Sequence, residues 1–269
     1  MAYIFEHLNS IKEILGRSPF GLITDIDGTI SETAPTPQQA EVSPQCRHYL
    51  SILSQHLALV AAVSGRPADE IKNMLKIDRA IYIGNHGLER WAEEQSAFSK
   101  ETEGYPELIK VVIKELAPLL HLEGIRLEDK GITVTIHYRL SPNPEAAKRD
   151  ILATLESSTQ AKRLRIMHGK MSINLLPPVQ VNKGTAVLDL IREYSLQGGI
   201  YLGDDLTDID AFKAIHSTSS HSSFHGIAIG IASQETMKML VAEADFTLNG
   251  VNDVARFLRW MSETALKLS

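Results

Sequence analysis

Phe20-Gly21-Leu22-Ile23-Thr24-Asp25-Ile26-Asp27-Gly28-Thr29 is an apolar run that stops at two carboxylates, followed at once by a glycine and a hydroxyl. A short apolar run bounded by turn residues is how a strand buried in a parallel sheet reads. Open α/β sheets bind ligands beyond the carboxyl ends of their strands, which puts Asp25 and Asp27 where such a fold keeps its chemistry. Residues two apart on a strand share a face, so both carboxylates can converge on one point, and like charges that close require a cation or a shared proton. Alone, the stretch reads equally well as an ordinary strand-to-turn exit, because Asp and Gly favour turns. The rest of the chain decides between the two.

Outward from this stretch, strands and helices alternate. Ile4, Leu8, Ile11, Ile14 and Leu15 recur at helical spacing, predicting an amphipathic helix over residues 4–15. Residues 31–44 are rich in Pro, Thr, Ser and Gln and read as an exposed loop, with a helix at 44–56. A second apolar run, residues 57–63, ends in Ser64-Gly65-Arg66-Pro67. A helix over 68–75 leads to a third run, 80–83, ending in Gly84-Asn85-His86-Gly87. This alternation predicts a parallel sheet with right-handed crossovers.

Near Leu88 the rhythm breaks. Residues 89–103 are polar and acidic, and a helical pattern spans 105–121. Two strand-like pairs follow, 125–128 with 132–138 around Asp129-Lys130-Gly131, and 163–167 with 171–175 around His168-Gly169-Lys170; a helix at 143–157 separates them. Helix, hairpin, helix, hairpin is an α+β unit with an antiparallel sheet. The predicted organisation is therefore an α/β core of residues 1–88 and 180–269, interrupted by an α+β domain at 89–179 that closes on Pro177-Pro178. Lys183-Gly184-Thr185 then opens a helix to 194, and a strand at 199–202 ends in Gly203-Asp204-Asp205-Leu206-Thr207-Asp208. A helix, a Ser/His loop at 216–225, a strand at 226–231, a helix at 233–242, an edge strand at 246–248 and a closing helix at 251–268 complete the chain.

The composition narrows the function. At 269 residues and 43% hydrophobic, the chain can bury a substantial core. A net charge of -6 argues against a nucleic-acid partner, which calls for a basic footprint. Cys46 is the single cysteine, so an internal disulfide is excluded; that fits a reducing, cytoplasmic setting, and Cys46 reads as a packing residue. The N-terminus lacks the basic start and apolar centre of a signal peptide, and no run approaches the ~18 apolar residues of a membrane span. A cytoplasmic monomer acting on a small molecule is the expectation.

Four strand ends then read together: Asp25 with Asp27, Ser64, Lys183, and Asp204 with Asp205 and Asp208. Each type has a task in phosphoryl transfer. A phosphate beside carboxylates needs a cation, and Mg²⁺ suits a site of a few carboxylates plus water and substrate oxygens. Asp25, Asp204 and the Asp27 carbonyl are the candidate ligands, with Asp205 or Asp208 as an additional or supporting ligand. Asp25 is the candidate nucleophile, Asp27 the candidate acid and base, and Ser64 and Lys183 the candidate phosphate contacts.

In this order the four motifs closely resemble the haloacid dehalogenase superfamily: Asp25-Ile26-Asp27-Gly28-Thr29, Ser64, Lys183 and Gly203-Asp204-Asp205-Leu206-Thr207-Asp208. The resemblance implies a Rossmann-like core, Mg²⁺ dependence, an aspartyl-phosphate intermediate and a cap inserted between the second and third motifs. A narrower resemblance, covering most of the chain, is to the trehalose-6-phosphate phosphatases. It rests on Ser64-Gly65-Arg66, Gly84-Asn85-His86-Gly87, Ile136-His137-Tyr138-Arg139 and the 203–208 run. It implies substrate contacts from Ser64, Gly65, Arg66, Asn85, His86, His137 and Arg139. Where that family has a Glu facing the sugar before the third-motif lysine, this chain has Asn174 in Asn174-Leu175-Leu176-Pro177, a weaker acceptor for sugar hydroxyls. The phosphatase chemistry is unaffected; trehalose 6-phosphate is the leading substrate, with sucrose 6-phosphate or a glucosyl- or mannosyl-3-phosphoglycerate as alternatives. A phosphomutase on the same scaffold and a sugar-phosphate sensor are the other classes.

Overall fold

The computed structural model describes residues 2–92, 94–232 and 238–268. In chain order the first elements are β1 (Ala2–Tyr3), α1 (Leu8–Leu15), β2 (Phe20–Thr24), α2 (Pro44–His56), β3 (Leu59–Val63), α3 (Ala68–Leu75), β4 (Ile81–Gly84), β5 (Glu89–Ala92) and β6 (Gln95–Phe98). Then come α4 (Tyr105–Leu116), β7 (Arg126–Asp129), β8 (Val134–His137), α5 (Pro144–Ser157), β9 (Arg165–Gly169) and β10 (Ser172–Leu176). The chain ends with α6 (Lys183–Glu193), β11 (Gly198–Gly203), α7 (Asp208–His221), β12 (His225–Ala232), α8 (Lys238–Glu243), β13 (Phe246–Asn249) and α9 (Gly250–Leu268). Of the helix predicted over 233–242, residues 233–237 lie outside the described residues, as does Glu93 in the polar stretch 89–103.

The chain divides into two compact units, Met1–Ala97 with Val181–Ser269, and Phe98–Gln180. The first is an α/β, Rossmann-like unit built on a sheet of order β1-β13-β12-β11-β2-β3-β4-β5-β6. The pairs from β1 through β4 are parallel, and β5 joins β4 antiparallel. Every residue of β2, β3 and β11 is buried, which is why those strands read as unbroken apolar runs. Successive residues point to opposite faces. Leu22, Ile200 and Leu202 pack on one face with α1, α2, α3 and α9; Ile23 and Tyr201 pack on the other with α6 and α7.

Residues 89–97, read from sequence as the start of the inserted domain, instead lie in the first unit, in β5 and β6 of its sheet. The strand expected at the edge, β13, has β1 on its outer side, with Ala2 opposite Phe246. The Ser/His segment 216–225 is not a loop over its first part: α7 runs through it to His221. Its hydroxyls bond back one turn, Thr218 to the Ala214 carbonyl, Ser219 to Ile215 and Ser220 to His216, satisfying locally the groups that made it look like a loop.

The second unit is a four-stranded antiparallel sheet, β7-β8-β10-β9. Val134, Ile136, Ile173 and Leu175 bury one face against Ile109 and Val112 of α4 and Ala147 and Ile151 of α5. The alternate positions, Thr135, His137, Ser172 and Asn174, share the other face.

Candidate active site

β2 and β11 are hydrogen-bonded neighbours, with Leu202 opposite Thr24. The ladder continues one residue further, where the Asp25 amide donates to the Leu202 carbonyl at 2.8 Å. Asp25 and Asp204 thus emerge side by side at the carboxyl ends of two adjacent parallel strands. Asp25, Asp204 and Asp208 are all buried and each turns a carboxylate oxygen to within 4.8 Å of the others. Gly28 makes room for this. Its φ is +82°, and a Cβ there would fall 1.9 Å from Asp204 Oδ2, so a side chain at this position would displace the acid.

Lys183 is the first residue of α6. Its helix starts with a capping box: Asn182 Oδ1 accepts from the Thr185 amide, and Thr185 Oγ1 accepts from the Asn182 amide. The box fixes the helix start, and the adjacent Lys183 sends Nζ to Asp25 Oδ1 at 2.9 Å and Asp208 Oδ1 at 2.7 Å. Asp208 Oδ1 also accepts from Tyr201 Oη at 2.7 Å, and its Oδ2 accepts from the amides of Asp204 and Asp205, each at 2.9 Å. Asp208 therefore ties together Lys183, Tyr201 and the turn that presents Asp204. Asp205 Oδ1 accepts from the next amide, Leu206, at 2.7 Å.

The charge balance is uneven. Burial pushes the Asp25 carboxyl well above its usual range; Lys183 opposes this, while Asp208 and Asp204 add to it. Burial likewise works against the Lys183 ammonium, but Asp208 and Asp25 outweigh it and hold its pKa above the ordinary lysine value. Three buried carboxylates face one ammonium. Oxygen donors at this spacing with surplus negative charge fit a hard divalent cation.

Asp27 stands apart from that cluster. Its carboxylate is 41% exposed and receives a two-pronged bond from Arg66, Nε to Oδ2 at 2.6 Å and Nη2 to Oδ1 at 2.8 Å. Arg66 follows β3 in a turn that interlocks with the turn after β4. The Ser64 amide donates to Ile83, Asn85 to the Arg66 carbonyl, and His86 to the Ser64 carbonyl. Gly65 lies so close to the His86 ring that a Cβ would sit 2.5 Å from it. Ser64, Asn85 and His86 are all buried.

In the second unit, His137 Nε2 lies 2.7 Å from Glu128 Oε2, and Arg139 Nη2 donates to the Lys170 carbonyl at 3.5 Å. The buried Asn174 amide is engaged within its own sheet. Its Oδ1 accepts from Thr135 Oγ1 at 2.7 Å, and its Nδ2 donates to the Met167 carbonyl at 3.5 Å.

The structure thus gathers Asp25, Asp204, Asp208 and Lys183 into one cluster, joins Asp27 to Arg66, and interlocks the turns carrying Ser64, Gly65, Asn85 and His86. His137, Arg139 and Asn174 belong to the second unit. Sequence reasoning missed three contributors. Tyr201 lies inside a buried strand, where nothing distinguishes it from a core aromatic. Glu89 is buried and accepts from Asn85 Nδ2 at 2.7 Å and the Ala68 amide at 2.9 Å; its only signal was an acid four residues past Asn85. Glu70 receives Arg66 Nη1, one helical turn on.

The trehalose-phosphatase family model matches residues 23–252. A trehalose 6-phosphate phosphatase of Zea mays is 26% identical over 88% of this chain and 68% of its own length. A trehalose-phosphate phosphatase of Mycobacterium leprae is 27% identical over 93% of this chain and 59% of its own. Among solved structures, a trehalose-6-phosphate phosphatase related protein superposes with a TM-score of 0.76 at 21% identity, covering 93% of this chain and all of that one. The C-terminal domain of the C. albicans trehalose-6-phosphate phosphatase also gives 0.76, at 19% identity, covering 94% of this chain and 96% of that one. The structural likenesses carry the fold, and the family match runs from the strand before Asp25, through every motif gathered above, to the start of the last helix: this chain belongs to the trehalose-phosphatase family, a family of phosphoric monoester hydrolases.

Proposed function

We propose that the chain is a Mg²⁺-dependent phosphatase that hydrolyses trehalose 6-phosphate through an aspartyl phosphate on Asp25. The observation that carries this reading is the buried cluster of Asp25, Asp204 and Asp208 facing Lys183 at the carboxyl edge of β2 and β11. Asp25 and Asp204, with the Asp27 carbonyl, would hold the ion; bound there, Mg²⁺ supplies the charge that lets a phosphate dianion approach carboxylates. Asp208 is saturated with hydrogen bonds and acts by placing Lys183 and the Asp204 turn.

The Asp25 carboxylate attacks phosphorus, and the bond from phosphorus to the sugar oxygen breaks. Asp27 gives its proton to the departing oxygen, so the sugar leaves as an alcohol. Water then attacks the phosphoryl group, Asp27 takes a proton from it, and the bond to Asp25 breaks. Inorganic phosphate leaves, with Asp25 and Asp27 restored. Lys183 and the Ser64 hydroxyl bind the phosphoryl oxygens and stabilise their transition-state charge. Asn85 and His86 line the same strand edge. By the family resemblance, His137 and Arg139 are the proposed sugar contacts, with Asn174 as a further candidate.

The test is phosphate release from a panel of sugar phosphates, with Mg²⁺ and with chelator. Trehalose 6-phosphate is expected to give the highest kcat/KM, and chelator to abolish release. Asp25→Asn should lower kcat by at least about 10³-fold, the order of loss when a nucleophile is removed, with an unchanged circular dichroism spectrum. Full activity of that variant overturns the mechanism. A better rate with sucrose 6-phosphate or a glycosyl-3-phosphoglycerate overturns the substrate, and isomerised sugar phosphate without free phosphate would mark a mutase.

A further inference from the structure

Arg66 follows Ser64 in a turn beside the phosphate-binding edge, where an arginine's two-pronged donor face would suit a substrate phosphate. In this molecule that face is already engaged. Nε and Nη2 grip the two oxygens of Asp27. The guanidinium is itself fixed from behind, Nη2 donating to the Pro37 carbonyl at 3.0 Å and Nη1 to Glu70 on α3. Arg66 is 5% exposed while the Asp27 carboxylate is 41% exposed. An exposed carboxylate at the end of a strand has rotamers to spare, so the buried side chain is the one that sets the geometry of the pair.

We propose that Arg66 is a positioning residue for Asp27 rather than a substrate contact: Glu70 and the Pro37 carbonyl lock the guanidinium, and the guanidinium holds the Asp27 carboxylate where it meets the leaving oxygen and then the attacking water. The inference rests on the two-step reading above and deepens it. Proton transfer demands the donor within hydrogen-bond reach of the reacting oxygen, and a misplacement of about 1 Å costs on the order of 10²-fold.

Two substrates separate this role from the others. The P–O bond of a sugar phosphate breaks only as its oxygen is protonated, whereas p-nitrophenolate leaves phosphorus without a proton. Arg66→Gln and Arg66→Lys are compared with wild type in single-turnover reactions on trehalose 6-phosphate and p-nitrophenyl phosphate, with steady-state KM measured for both. The expected result for Arg66→Gln is a loss of about 10²-fold in the bond-breaking step with the sugar phosphate, and a change of under about threefold for p-nitrophenolate release in the first turnover, with KM within about threefold for both; the proton's share of catalysis sets that contrast. Arg66→Lys, which keeps charge but loses the fork, should fall between. Glu70→Gln, which loosens the guanidinium without removing it, should show the same contrast at smaller size and serves if the Arg66 variants do not fold. Equal losses on both substrates indicate a general structural role and overturn the proposal. So does a KM rise with kcat preserved, the mark of a phosphate contact. Asp25→Asn, run alongside, separates the two levels: if it still turns over, the two-step reading fails; if it is dead and the leaving-group contrast is absent, only the Arg66 assignment fails.

Discussion

At the scale of the residue, the site is a problem of charge in a buried place. Asp25 is nearly inaccessible, and burial raises its pKa above the ordinary aspartate value of 3.8, with Asp208 and Asp204 reinforcing the rise against Lys183. An acid whose folded pKa lies above its unfolded one holds a proton in the folded state that the unfolded state has lost. Its contribution to stability is whole below about pH 4 and is lost as pH rises through the folded pKa. Lys183 shifts upward too, but its contribution stays whole until about pH 10, so it does not move in the same window. In chelator, the wild-type unfolding midpoint should therefore fall as pH climbs from 4 towards neutrality. Asp25→Asn, which keeps an oxygen for Lys183 to bond but carries no charge, should flatten the curve and unfold later than wild type at pH 7. Mg²⁺ at 100 times its dissociation constant should return about 2.7 kcal/mol to the wild type and less to the variant. Calorimetry across pH checks this, and a variant that melts below wild type in chelator at pH 7 would contradict it. Asp25 and Asp204 were legible in the sequence because each sits just past an apolar run, and Lys183 because it opens a helix where the α/β rhythm resumes. Tyr201 was not, because it reaches Asp208 from inside a buried strand, its ring held edge-on by Phe212 at 5.9 Å; Glu89 was not, because its bond from the Ala68 amide joins two elements that only the fold brings together.

At the scale of the element, the start of α6 decides where the only lysine of the cluster points. Asn182 has extended backbone and caps the helix through its side chain, with Thr185 reciprocating. Replacing a side-chain cap by alanine costs about 1 kcal/mol. Asn182→Ala should show that loss in denaturant unfolding. Because Lys183 is the very next residue, kcat should drop by more than the stability loss alone would explain under conditions where the variant is fully folded; unchanged kcat would mean that Lys183 is positioned by its carboxylates without help from the cap. The helix starts were readable for the same reason: Pro44 and Ala68 follow turn residues, and α2 and α3 begin there. What was not readable at this scale depends on pairing or on hydroxyl geometry. β1 is two residues long and exists because β13 offers it an edge. β5 and β6 are polar segments that read as the start of an insertion, and only the unpaired edge of β4 turns them into strands. The serines of α7 suggested a loop by composition, but each returns its hydroxyl to a carbonyl one turn back.

At the scale of the molecule, the change of rhythm in the sequence corresponds to two separate cores. The second unit buries Ile109, Val112, Ile136, Ile151, Ile173 and Leu175 among its own helices and strands. The first has a cluster on each face of its sheet. The sequence located the antiparallel unit by its helix–hairpin repetition, but put its beginning too early, since polarity alone does not tell a loop from an edge strand. A self-contained core with one sheet and two helices meets the minimum for independent folding, three or more strands with a packed face, at a size where many domains fold alone. The segment Phe98–Gln180, expressed by itself, should therefore give a cooperative thermal transition and slow amide exchange in β8 and β10, its two central strands. Substituting Ile136 by alanine should cost about 2–5 kcal/mol in that fragment, as for other buried large-to-small changes, because Ile136 is fully buried within the unit's own cluster. A gradual melt with exposed apolar surface would show instead that the cluster cannot hold without the rest of the chain.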